Sequence, residues 1–159
     1  MNTKKKIIAG VIAAFVIIAT LAFFILPILS KEQISMETFL NLAEQEKLEY
    51  QVNSQNSEFK NSLSTAELKT DEIRSFFVVF DNADRSSQYF AHYEKAIDEL
   101  PTGNTQSTSM VNVGNYQKYK LTSNGQIHLV IRVNETLFFI SANNHHSALI
   151  DRLVAAMDY

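Results

Sequence analysis

Four histidines, His92, His128, His145 and His146, are the side chains of this chain best suited to acid–base chemistry or metal ligation. Their spacing argues against both. A metal site on one helix needs ligands four residues apart, as in His-Glu-x-x-His, and a finger needs clustered Cys and His. The chain has no cysteine. Adjacent residues at a helix start, such as His145 and His146, project about 100° apart. We therefore expect His92 on the flank of a helix, His128 on the outer face of a strand, and His145-His146 as helix-start residues. No metal ligand and no cofactor is expected.

Nucleophilic and phosphate chemistry are also poorly supported. There is no Gly-x-Ser-x-Gly elbow. Phosphate-cradling loops are glycine-rich, and the chain has four glycines. The carboxylate pairs Asp71-Glu72 and Asp98-Glu99 fall in predicted turns and helix ends, where solvated charge is the usual role. The chain is not expected to be an enzyme.

One surface constellation stands out. Asn124-Gly125 is the strongest hairpin signal in the sequence. A three-residue loop, Ser123-Asn124-Gly125, sets Leu121 against Ile127, Tyr119 against Leu129 and Gln117 against Ile131. That register keeps apolar with apolar and puts Gly125 in a bulge. Lys118, Lys120, His128 and Arg132 then share one sheet face with Tyr116 and Val130. This basic, partly aromatic face is the candidate binding surface for an anionic partner.

The elements that must position it follow from periodicity. Ser35 can cap a helix whose Met36, Phe39, Leu40 and Ala43 line one face. Leu48, Tyr50 and Val52 alternate as a strand, and Ala66 and Leu68 mark a second one ending near Thr70-Asp71. The stretch 73–80 reads as a central strand covered on both sides. Asp81 or Asn82 caps a helix running to about Leu100, with Ala83, Phe90, Tyr93, Ile97 and Leu100 inward. A polar loop, 102–109, leads to strands at 111–121, 126–133 and 137–142. A last helix, 145–158, buries Leu149, Ile150, Leu153, Val154 and Met157. The fold class is α+β, an antiparallel-sheet domain in the order α-β-β-β-α-β-β-β-α. Phe76 to Asn82 and Leu137 to Asn143 are both apolar strands ending in a capping Asn, which raises an internal duplication.

Residues 7–29 carry no charge. As a helix they span roughly 30–35 Å, the thickness of a bilayer core. Lys4, Lys5 and Lys6 precede the segment, so the positive-inside rule puts 1–6 in the cytoplasm. The expected organisation is a transmembrane helix over 7–29 acting on the lipid bilayer, a tether over 30–34 and an extracytoplasmic domain over 35–159. All seventeen acidic residues follow the apolar segment, against ten Lys and Arg beyond Lys31, which disfavours nucleic acid.

Phe39-x-x-x-Ala43-Glu44, Leu48-Glu-Tyr-Gln-Val52 and Phe76-Phe-Val-Val-Phe-Asp-Asn-Ala83 resemble the core pattern of small membrane-anchored ectodomain proteins of Gram-positive bacteria, over 36–158. The resemblance implies a fold and a cell-envelope location and transfers no activity. The expected function is a single-pass, membrane-tethered binding module whose partner is another envelope protein or an anionic wall or lipid component. The alternatives are a small ligand sensor or envelope hydrolase with a cleft, and an accessory or immunity-type protein acting through its transmembrane helix.

Overall fold

The structure is a computed structural model that describes residues 30–54, 56–101, 103 and 106–159. One compact unit runs from Lys31 to Tyr159. Its first helix, α1 (Met36–Gln45), begins where the Ser35 hydroxyl accepts the Thr38 N–H at 3.1 Å. It ends in a Schellman turn. Lys47 adopts φ +58°, Leu48 N–H donates to Ala43 O at 2.9 Å, and Lys47 N–H donates to Glu44 O at 3.0 Å. Phe39 and Ala43, four residues apart, are the buried pair of this helix.

Strands β1 (Tyr50–Asn53), β2 (Ser62–Lys69) and β3 (Ile73–Phe80) form an antiparallel meander. Helix α2 (Ala83–Asp98) follows, capped by the Asn82 side chain on the Arg85 N–H at 2.9 Å. Four more strands come next: β4 (Gln106–Val113), β5 (Tyr116–Ser123), β6 (Gln126–Val133) and β7 (Thr136–Asn143). A short 3-10 turn, Asn144–His146, leads into α3 (Ser147–Ala156). All seven strands lie in one antiparallel sheet of order β1-β2-β3-β7-β6-β5-β4.

The sheet is covered on both faces, because β3, β6 and β7 are apolar at both pleat parities. On one face Phe39 of α1 stacks on Phe77, with ring centroids 4.5 Å apart. Ile150 and Val154 of α3 and its C-cap residue Met157 share that layer with Ile127, Leu129, Ile131 and Val133. On the other face Phe90 and Ile97 of α2 pack against Phe76, Val78, Phe80, Leu121 and Phe139.

Several sequence-based expectations are corrected here. The class is α+β, but the order is α-β-β-β-α-β-β-β-β-α. The expected strand over 111–121 is two strands folded at Gly114-Asn115, where Gly114 takes φ +58°. Half of the expected polar loop is β4. The duplication fails on handedness. A two-fold axis relating the antiparallel neighbours β3 and β7 would carry their following helices to the same face, yet α2 and α3 cover opposite faces. The segment expected to be a short tether, 30–34, hydrogen-bonds to the domain. Lys31 exchanges two hydrogen bonds with the Asn115 side chain at 3.0 and 2.8 Å, and the Ile34 N–H donates to the Tyr159 hydroxyl at 3.1 Å.

The single-pass membrane organisation is corrected as well. No helix among the described residues is long and apolar enough to cross a membrane. The expected transmembrane helix over 7–29 and the N-terminal residues 1–6 lie outside the described residues. The transmembrane, single-pass and extracytoplasmic reading is therefore not carried further.

Candidate functional site

The hairpin that decides the candidate face has a two-residue loop, not the bulged three-residue one. Asn124 and Gly125 both take positive φ, +52° and +75°, the signature of a type I′ turn, and Ser123 pairs with Gln126. Pleat parity does not discriminate the two registers, because β6 carries buried residues on both faces and either register sets apolar residues together. In the observed register Lys118 lies opposite Ile131 and Lys120 opposite Leu129. Their aliphatic stems extend the apolar layer at the sheet margin, and both side chains are half-buried.

This register divides the five candidate residues. Tyr116, Lys118 and Lys120 lie on the face covered by α1 and α3, whereas His128 and Arg132 lie on the face covered by α2. Tyr116 is buried beside Tyr159, with ring centroids 6.5 Å apart, and burial pushes its hydroxyl up to about 12. Lys120 Nζ sits 3.5 Å from the Asp151 carboxylate. Burial, and after it the neighbouring Lys120 charge, holds the Lys118 ammonium below its ordinary range. Across the sheet, His128 Nδ1 lies 3.0 Å from the Ser141 hydroxyl, and burial lowers its basicity. Arg132 is a structural pin. Its guanidinium donates to Ser86 Oγ at 3.1 Å, to Gln117 Oε1 at 3.2 Å and to Ala83 O at 3.3 Å, clasping the first turn of α2 to the sheet.

Beside Lys118 and Lys120 lies a feature the sequence reading missed, the outer edge of β4. Among the described residues its single strand neighbour in the sheet is β5. The register to β5 is continuous over eight pairs, and the strand Gln-Ser-Thr-Ser-Met-Val-Asn-Val holds no charge and no proline. Edge strands are commonly protected by charge, proline, bulges or shortness, and β4 has none of these. The opposite edge, β1, is four residues long. Hydrogen-bonded and non-hydrogen-bonded pairs alternate along an antiparallel ladder. Counting from the turn-closing pair Val113–Tyr116, the N–H and C=O groups of Asn112, Met110, Thr108 and Gln106 point away from β5. Met110 is 54% exposed.

At the other end of the sheet centre the structure brings together three residues that are distant in sequence. Both His145 Nε2 and His146 Nε2 meet the same Glu72 Oε2, at 2.9 and 3.0 Å. The two rings lie 4.1 Å apart between centroids. The pairing of Ile73 with Ala142 places Glu72, at the start of β3, beside the end of β7 and the 3-10 turn after it. The adjacent rings converge because each imidazole turns about two side-chain bonds, and both swing toward the carboxylate. Hydrogen bonds from His146 and then His145 hold the Glu72 carboxyl below the usual carboxylate range. Glu72 and the two histidines are the group of His, Asp and Glu side chains, among the described residues, arranged so that one ion could be held.

Neither a family model nor a curated protein matches the chain. Among solved structures, a GTP binding regulator from Thermotoga maritima is similar over 78% of this chain and 84% of its own, with 15% identity and a TM-score of 0.45.

Proposed function

We propose that the domain is a non-catalytic binding module that takes an extended, acidic polypeptide segment as an added strand along the outer edge of β4. The observation that carries the reading is the unprotected eight-residue edge of β4 with Lys118 and Lys120 on the adjacent strand. An added strand makes main-chain hydrogen bonds for affinity and uses alternate side chains for specificity. On one face its side chains would approach Ser109 and Val111, with the two lysines about 10 Å away across β4. Glutamate and lysine stems together span that gap. On the other face they would lie beside the exposed Met110. Acidic residues on the first face alternating with apolar residues on the second are therefore the complementary pattern. A second copy of this chain is less complementary, since its own β4 holds no acid and would bring four lysines near one junction. Both layers between sheet and helices are filled with side chains, which favours a surface module over a cleft enzyme.

The test uses the full chain and a fluorescent peptide of alternating Glu and Val, read by anisotropy and by amide hydrogen exchange. The peptide is expected to bind in a salt-dependent manner and to slow exchange at Met110 and Asn112. Lys118→Glu with Lys120→Glu should weaken it. Met110→Pro, which removes an outward N–H and leaves the β5 ladder intact, should abolish it. Equal binding of a Gln/Val peptide, undiminished binding by Met110→Pro, or β4 protection that grows with protein concentration alone would each overturn the reading.

A further inference from the structure

We infer that Glu72, His145 and His146 form a binding site for a borderline divalent cation of the Zn2+ class, joining the β2–β3 turn to the β7–α3 junction. This goes beyond the β4 reading and rests on other residues.

The donor set is two imidazole nitrogens and a carboxylate oxygen, one atom from each residue, all within 4.8 Å of one another. Two histidines and a glutamate are a known Zn2+ set, with the remaining position left to water. In a tetrahedral site with bonds of about 2.0–2.2 Å, neighbouring donors stand roughly 3.3 Å apart. The two nitrogen–oxygen separations are 2.9 and 3.0 Å. Opening them by a few tenths of an ångström seats the ion, and the exposed glutamate side chain and surface histidine rings are free to make that adjustment. His145 and Glu72 are half exposed, so the ion also has a path in and room for water.

The hydrogen bonds around His145 point the same way. Its Nδ1 lies 2.9 Å from Asn143 Oδ1. That oxygen also accepts the His145 backbone N–H, at 3.3 Å, so it is the carbonyl end of the amide. With Nδ1 turned to that carbonyl, Nε2 is the nitrogen left for a cation beside the Glu72 oxygen. A ligating histidine characteristically gives its other ring N–H to an oxygen that fixes its tautomer. Asn143 supplies that oxygen here. His146 adds a second nitrogen on the same carboxylate oxygen.

Asn143 also caps the 3-10 turn, so the residue that starts the turn is the one that orients the ligand. Glu72 is held in turn by its backbone, whose N–H donates to Thr70 Oγ1 at 3.3 Å. The ligands thus sit in the turns that flank the adjacent central strands β3 and β7.

The experiment is isothermal titration of the full chain with ZnCl2, with Co2+ absorption as a second readout of coordination. One Zn2+ per chain is expected, together with a tetrahedral-type Co2+ spectrum. His145→Ala with His146→Ala should remove both signals, and Glu72→Gln should weaken binding at least tenfold. Asn143→Ala, which orients without ligating, should weaken it about tenfold. All of these positions are at the surface, and circular dichroism confirms that each variant is folded. Absence of Zn2+ binding by the parent chain, or binding by the double histidine variant as tight as by the parent, would overturn the site. Either result leaves the β4 reading untouched, since no β4 residue takes part.

Discussion

Replacing Phe39 with alanine tests whether α1 is welded to the sheet as the structure has it. The Phe39 ring has no exposure to solvent. It stacks on Phe77 at 4.5 Å with the planes 9° apart and tilts against Phe138 at 5.8 Å. Truncating a buried phenylalanine costs about 3–5 kcal/mol, the transfer loss plus the cavity left behind. The loss of a stacked partner places this site toward the upper half of that range, at about 4 kcal/mol. Domains of this size have total stabilities of about 5–15 kcal/mol, so the variant keeps a folded state with a sharply reduced margin. With a urea slope of about 2 kcal/mol per molar, the unfolding midpoint should fall by about 2 M. Phe39→Leu fills part of the space and should lose about 1.5 kcal/mol, or less than 1 M. The assay is urea unfolding followed by circular dichroism at a fixed temperature. A midpoint shift below about 0.5 M for the alanine variant would refute the packing, because no buried aromatic on two ring neighbours is so dispensable.

Two further outcomes follow from the same geometry. Asn124 holds φ +52° and donates from Nδ2 to Pro101 O at 3.0 Å, so Asn124→Ala should cost about 1–2 kcal/mol by thermal or urea unfolding, whereas Asn124→Gly should cost less. Tyr116 and Tyr119 have hydroxyls pushed up to about 12, chiefly by burial. A raised folded value means that their stabilisation is complete below the ordinary tyrosine range near 10 and is lost as pH climbs toward 12. Spectrophotometric titration should therefore show these two tyrosines ionising late, with unfolding beginning in that interval; ionisation of every tyrosine near 10 in a folded chain would contradict their burial.

Local signals in the sequence were sound where one element carries them. Ser35 and Asn82 cap their helices as read, and the strand over 73–80 is buried on both faces. The turn at Asn124-Gly125 is where its residue types put it. Its length was not legible. Parity discriminates registers only when one strand face is polar, and Val130 and Ile131 on β6 are both buried. The turn at Gly114-Asn115 had a glycine to announce it. Val113 and Tyr116 continue the strand pattern across it, and the alternation of β4 is weak because most of its side chains face water.

Residue order alone decided which segments become helices and strands, since capping, periodicity and turn chemistry act over a few neighbours. Which of them touch was decided by the sheet. Glu72 and His145 are 73 positions apart, and only the pairing of β3 with β7 brings their side chains within 2.9 Å. The basic residues at 118 and 120 parted from His128 and Arg132 for the same reason: a one-residue change in register turns every side chain of a strand to the other face. Among the described strands β4 is an edge because it stands last in the sheet order, a property that no single segment contains.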